Sequence, residues 1–382
     1  MTGTASPAAE LHIGAAIDGT GAHPASWRLA GIPPADLFTA GHYAGLAAEA
    51  ERGTLDFVAL DDGMALQSDR EDRLRGRLDA LLALAAAAPP TERVGLVPTV
   101  TTTHTEPFHV SKAVATLDHV SLGRAGWRAE VSRTREEADA FGRRPAAPPP
   151  ELWTEAAAVM DAAGRLWDSW DDDAEIRDAA TGRFIDRDRL HYIDYEGPGW
   201  SVRGPSITPR PPQGRPPVLV RISDAHSLAA AAVHADAVIV RPSTVGAARA
   251  IRARIREAAA GAGRDPGEVR VLAEAVVLLE AHEEAALERR SRLDALDPDP
   301  GGGLDHTGTP SGLADLFEEW ARFGAADGFL VRPAVLPDDL SAFVDGVVPR
   351  LRERGLFRRS YRADTLRGHL GLARPAGRYA RR

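Results

Sequence analysis

At 382 residues, 44% hydrophobic and 26% charged, the chain has the composition of a globular protein, long enough for two or three average domains or for one large α/β barrel with insertions. Its 46 basic and 55 acidic residues leave a net charge of −9, so no global positive field draws in nucleic acid or an anionic membrane. The absence of cysteine excludes disulfides, thiol catalysis, iron–sulfur clusters and cysteine-ligated zinc.

The first ten residues are small and polar, without a basic region or a long apolar stretch, and read as no signal peptide, which places the protein in the cytoplasm. A first β-like run, Leu11 to Ile17, is followed by Asp18, Gly19, Gly21 and His23, and a second, Leu55 to Leu60, by Asp61 and Asp62. Leu74, Leu78, Leu81 and Leu82 then fall at helical intervals. The apolar run Leu78 to Ala88 is interrupted by Asp79 and is too short to span a bilayer. The third run, Val94 to Thr99, leads into Thr101, Thr102, Thr103 and His104. Val110, Ala113, Val114, Leu117 and Ser121 next repeat at helical spacing, with Gly123 suited to a C-terminal stop. The fourth run is Gly126 to Ser132, and Arg143 to Pro150 is an extended, proline-rich connection.

Four more runs follow: Pro217 to Ile222, Ala235 to Val240, Val269 to Leu279 and Gly328 to Arg332. Eight β-runs alternating with helical patterns predict an α/β protein with a closed (β/α)8 barrel, and no G-x-G-x-x-G follows the first run as an open dinucleotide-binding sheet requires. The reading is one domain over residues 1–382 with insertions near 171–214 and 280–310. The first is turn-rich and aromatic; the second ends in Pro298, Pro300 and three glycines and reads as a mobile loop. Both are expected at the rim of the barrel.

In such a barrel the chemistry sits at the C-terminal strand ends. Asp61, Thr101, His104, Ser132, Ser223 and Arg241 are therefore expected to converge on one mouth. Each has a plain structural alternative: a helix cap for Asp61 or Asp62, a packed histidine for His23 or His104, ordinary strand residues for the three threonines. In the fourth run, alternation sets Arg128, Glu130 and Ser132 opposite Trp127, Ala129 and Val131. This predicts an inward Arg128–Glu130 pair, either structural or the floor of a polar site. No H-x-H, H-E-x-x-H or clustered carboxylates point to a metal, and no G-x-S-x-G points to a serine nucleophile. What remains is a mouth of hydroxyls, a carboxylate and a histidine, suited to a polar planar cofactor.

The stretch TVTTTHTEPFHVSKAVATLDHVSLGRAGWRAEVS, residues 99–132, resembles the flavin-dependent monooxygenases of the bacterial luciferase-like superfamily. The similarity is to the nitrilotriacetate, dibenzothiophene-sulfone and pristinamycin synthase group. Further pieces agree along nearly the whole chain: GAHPASWR from Gly21, ERGTLDFVALD from Glu51, LWDSWDDDA from Leu166, RGP from Arg203, TGTP from Thr307, DGF from Asp327, VVPRLRERGLFR from Val347 and TLRGHLGL from Thr365. The resemblance implies a (β/α)8 barrel that takes reduced FMN from a separate flavin reductase and uses dioxygen to oxygenate a small organic substrate. A homo-oligomer is expected as well, and charge and motifs, as above, point to no nucleic acid, membrane or metal.

By position in that resemblance, Asp61, Thr101 and Thr103 fall in the flavin-ring pocket, with Ser132 beside them and His104 as the candidate proton-transfer residue. There are departures. Arg128 stands for the family's Asn, His104 for an aromatic residue, Val131-Ser132 for Thr-Ser, and Leu152-Trp153 for the Arg-Tyr pair whose tyrosine helps hold the FMN phosphate. The phosphate turn after strand five is replaced by Arg221 to His226. The resemblance therefore implies a rebuilt phosphate site, such as Ser223 and Arg241, with Arg221 or Arg241 offsetting Asp224. A silent flavin-binding relative and a deazaflavin-dependent oxidoreductase stand as alternatives, because one fold hosts several activities.

Overall fold

The computed structural model describes residues 10–380, so the reading of the first ten residues falls almost wholly outside it. Eight strands form the barrel: β1 (His12–Ala16), β2 (Phe57–Leu60), β3 (Gly95–Thr101), β4 (Trp127–Glu130), β5 (Val218–Arg221), β6 (Ala237–Val240), β7 (Arg270–Leu279) and β8 (Gly328–Pro333). Each lies in or overlaps one of the eight expected runs. They pair in parallel in chain order, and β8 returns to β1 to close the ring. The register sets Leu60 beside Pro98 and Thr101 beside Glu130, so Asp61 and Thr101 leave their strands at the same end.

Alternation divides each strand between two environments. Outward residues such as Trp127 and Val220 pack on surrounding helices, with Trp127 meeting Trp167 edge to face at 6.5 Å. Inward residues Phe57, Val97, Leu219, Ile239, Leu272 and Leu330 fill the lower barrel. Leu366, Leu370 and Leu372 join this inner cluster from the C-terminal segment and seal the N-terminal end of the barrel. Burying a large aliphatic side chain contributes about 1.5–3 kcal/mol, so this plug is a substantial part of the core.

The surrounding helices are α1 (Ala40–Arg52), α2 (Ala80–Ala87), α3 (Pro107–Val120), α4 (Arg135–Phe141), α5 (Pro149–Trp167), α6 (Ala225–His234), α7 (Val245–Gly261), α8 (Glu283–Leu296) and α9 (Pro310–Arg322). α3 shows why the helical spacing was readable: Pro107 opens it, and Val110, Val114 and Leu117 form its buried stripe. Among the described residues no helix is long and apolar enough to cross a membrane.

The two insertions differ from expectation. The first forms two hairpins, Glu175–Asp178 with Arg183–Ile185 and Tyr195–Gly197 with Trp200–Val202. It starts and returns at the N-terminal end of the barrel rather than at the rim, because α5 carries the chain away from the mouth before the insertion begins. Arg210 and Arg215 of the return path pair with buried Asp168 at the end of α5, and Gln213 bonds Asp118 near the end of α3. The second lies at the mouth as expected, but its first half is α8 and its tail is tied down. Asp297 accepts from Arg70 and Arg73, and the Gly302 carbonyl accepts from Arg241.

Candidate active site at the barrel mouth

Above the apolar layer, the next inward position is charged on seven of the eight strands. Asp18, Asp61 and Arg241 follow β1, β2 and β6, Arg221 ends β5, and Arg128, Glu274 and Arg332 lie within β4, β7 and β8, while β3 supplies Thr99. These side chains form one connected collar. Asp61 contacts Arg128 and lies 3.9 Å from Arg221. Glu274, only 2% exposed, receives Arg221 at 2.9 Å and both Arg241 and Arg332 at 3.2 Å. Arg332 then stands 3.8 Å from Asp18, which accepts the Asp61 backbone N–H.

The environments push the two aspartates apart. Burial raises Asp18 to about 6, and the neighbouring Asp61 charge adds to the rise. Burial acts the same way on Asp61, but Arg128, then Arg221 and Arg332, outweigh it and hold that carboxyl well below the usual range. The mouth thus carries one carboxyl pushed up to about 6 and one that stays ionised.

The expected Arg128–Glu130 pair does not form. Arg128 is inward and buried as anticipated, but it pairs with Asp61, while Glu130 accepts the Val131 backbone N–H at 3.1 Å. Residues two apart on a strand are separated by roughly 6.6 Å of rise, whereas inward side chains of a closed barrel converge on its axis. A long arginine therefore reaches a non-adjacent strand.

The β3 and β4 ends form a second, hydroxyl-rich wall. Thr101 and Thr103 are buried; the Thr101 carbonyl accepts from Thr105 at 2.7 Å, and Thr103 Oγ1 accepts the Ser132 N–H at 3.1 Å. The Ser132 and Thr99 hydroxyls are buried without a hydrogen-bond partner among the described residues. His104 has a left-handed backbone with φ of 66° and stacks on Phe141 at 4.9 Å, leaving its Nδ1 buried and unpartnered among those residues. Burial, with a smaller contribution from Arg144, lowers its pKa and keeps the imidazole neutral at neutral pH.

On the β5 side, Asp224 caps α6 by accepting the N–H groups of His226 at 2.9 Å and Ser227 at 2.7 Å. Arg133 faces it at 3.3 Å, donates to Ser223 Oγ at 2.7 Å and lies over the Trp153 ring at 5.8 Å. The charge offsetting Asp224 is therefore Arg133. Arg221 and Arg241 are drawn instead to Glu274, which lies deeper in the barrel and is more buried.

All seven sequence-selected residues lie at the same end of the barrel, in separate groups. Asp61 and Arg241 share the collar, Thr103 and Ser132 touch, Thr101 is on their strand wall, and Ser223 is held by Arg133. His104 is set apart against Phe141. Ser223 and Arg241 both line a cavity of about 320 Å³. A second cavity of about 350 Å³ opens on the Asp18, Asp61 and Arg332 side of the collar. Glu274 and Arg332 were not singled out. The available signal was a lone charge at inward parity in an apolar run, as in Ala273-Glu274-Ala275. Among the described residues no group of three or more acidic or histidine side chains is arranged to hold a metal ion.

The barrel with a polar, charge-lined mouth at the C-terminal strand ends defines the (β/α)8 class of enzymes. Residues 20–327 match the family model described as luciferase-like monooxygenase. The chain belongs to that family and is an oxidoreductase of the monooxygenase type. It is 32% identical to the N-acetyl-S-(2-succino)cysteine monooxygenase of Bacillus subtilis (strain 168), over 97% of this chain and 99% of that protein. It is 31% identical to nitrilotriacetate monooxygenase component A of Aminobacter aminovorans, over 97% and 98%. A solved structure of the riboflavin lyase RcaE, with modified FMN and riboflavin, superposes with a TM-score of 0.87 at 25% identity, covering 96% of this chain and 97% of the other.

Proposed function

We propose that this chain is the oxygenating component of a two-component flavin-dependent monooxygenase, receiving reduced FMN from a separate reductase. The observation that carries this reading is the pair of buried hydroxyls on the β3–β4 wall, Thr99 Oγ1 and Ser132 Oγ, that have no partner among the described residues. Buried polar groups without partners are costly. A planar ring edged with hydrogen-bonding atoms is the kind of ligand that satisfies them. The relative named as component A and the flavin in the RcaE structure support the same assignment.

The residues fit the two ends of the cofactor unequally. Thr101, Thr103 and Ser132 would hold the ring, with the ionised Asp61 and its arginines beneath. At the phosphate end Ser223 and Arg241, with Arg133, are the available donors, but Asp224 already occupies the N-terminus of α6. When bound, reduced flavin supplies two electrons for dioxygen activation, one oxygen atom going to the substrate and the other leaving as water. The chain's own part is to orient the ring, exclude water and manage a proton. His104, which follows the three threonines in the chain and whose neutral form is favoured by burial, is the side chain assigned to that proton.

Anaerobic titration of the purified protein with photoreduced FMN, followed by mixing with oxygen-18 gas and candidate substrates, tests the reading. Saturable binding and transfer of one labelled oxygen atom to product are expected. Failure to bind flavin in either redox state overturns it.

A further inference from the structure

The cavity beside Asp18 is built from the loops after β1 and β2, and its charges are matched almost throughout. Arg332 is held by Glu274 and Asp18, Arg73 by Asp297, and Asp61 by Arg128. Arg77 is different. Among the described residues it has no carboxylate within ion-pair distance and no hydrogen-bond partner, and its Nε is fully buried. Asp62, whose carboxylate feels its charge, spends both oxygens on the N–H groups of Gly63 and Ala80.

A guanidinium stays charged at any physiological pH and presents a planar fork of donors that matches a carboxylate. Half-buried at a cavity wall and without a protein carboxylate among the described residues, this one is available to an anionic ligand. Tyr43 supplies a phenol to the same space, and Leu37, Phe38, Leu74 and Leu78 supply apolar surface. The cavity thus brings together an unpaired guanidinium, a phenol, apolar surface and the collar residues Asp18, Asp61 and Arg332.

We propose that this cavity is the substrate pocket and takes a small organic acid, its carboxylate bound by Arg77 and its apolar part directed toward the collar. This deepens the monooxygenase reading and rests on it for the word substrate. A monoanion is favoured over a phosphate ester, because Asp18 and Asp61 line the same cavity and repel a dianion more strongly.

The test uses flavin-free protein and calorimetry with hexanoate, 3-phenylpropanoate and benzylthioacetate, each beside its primary amide and the corresponding phosphate monoester. At least one acid should bind, its amide and phosphate analogues at least tenfold more weakly. Arg77→Gln should weaken the acid about 10- to 100-fold, as loss of a charge-assisted pair does. Arg77→Lys should fall between, and Tyr43→Phe should weaken the acid several-fold, with melting temperatures checking that each variant is folded. No binding by any of the acids, equal binding of acid and amide, or an Arg77→Gln variant that binds acids like the parent overturns the proposal. Flavin titrations of the same samples separate the two readings. Acid binding through Arg77 without flavin binding would leave an acid-binding pocket and remove the two-component flavin reading, whereas flavin binding without acid binding would keep that reading and remove the acid pocket.

Discussion

Arg128 on β4 spans the barrel to Asp61 at the end of β2 and bypasses Glu130 two residues along its own strand. Because Arg128 is only 3% exposed, removing its partner strands a charge in the interior. Asp61→Asn should therefore destabilise the fold by about 3 kcal/mol or more. Glu130→Gln should cost less than about 0.5 kcal/mol. Urea unfolding of the two variants checks the assignment, and a larger loss from Glu130→Gln would reverse it.

Asp18 gives the fold a pH signature. Its carboxyl is raised from the ordinary 3.8 to about 6 by burial and by Asp61, so the folded state holds that proton more tightly than the unfolded chain. The associated stability is complete below pH 3.8 and is lost as pH rises to about 6. Asp18→Asn, which keeps the acceptor for the Asp61 N–H, should gain stability relative to the parent across this interval and hold a constant advantage above it. Parallel unfolding curves from pH 4 to pH 8 check this; a difference that stays flat with pH would contradict it.

Ser132 separates binding from folding. Its hydroxyl is buried without a partner among the described residues, so Ser132→Ala should change stability by less than about 0.5 kcal/mol while weakening flavin about three- to tenfold. Fluorescence titration with oxidised flavin, alongside melting curves, distinguishes the two effects. Unchanged flavin affinity would remove Ser132 from the ring site.

The Arg133–Asp224 pair bears on the cofactor's phosphate. With the N-terminus of α6 closed by its own carboxylate, FMN should bind little more tightly than riboflavin. Asp224→Ser keeps a capping hydroxyl and removes the negative charge. It should improve FMN affinity about tenfold and leave riboflavin unchanged. Calorimetry with both flavins reads this directly.

His104 occupies a left-handed backbone position, where asparagine is better tolerated than a bulky aromatic residue. His104→Asn should keep fold and flavin binding while lowering turnover. Because burial lowers the histidine's pKa from 6.5, the parent's rate should fall on acidification below that value, and the variant should lose this acid limb. An unchanged pH profile would leave His104 as packing against Phe141.

The contrast between strands and loops explains what could be read in advance. The eight runs were legible because parallel barrel strands are buried on both faces and stand out as short apolar blocks. Asp61, Thr101 and Ser132 were legible because strand ends are where such barrels place chemistry. The partner of Arg128 was not, since barrel curvature brings together residues from strands that are not neighbours. Arg133 and Arg77 lie in loops whose course depends on what they pack against, and neither carries a pattern in the sequence. The first insertion was misplaced for a simpler reason: α5 reverses the chain's direction, and composition does not record which end of a barrel a segment has reached.

The plug formed by Leu366, Leu370 and Leu372 has a consequence during synthesis. These residues pack on Phe57, Val97 and Leu219, some 150 to 300 positions earlier in the chain by their numbering. A ribosome-bound nascent chain therefore carries all eight strands before it has the side chains that close their interior. The barrel's inner layer is completed only after release of this segment from the exit tunnel, and until then its N-terminal end is a greasy opening for chaperones to cover.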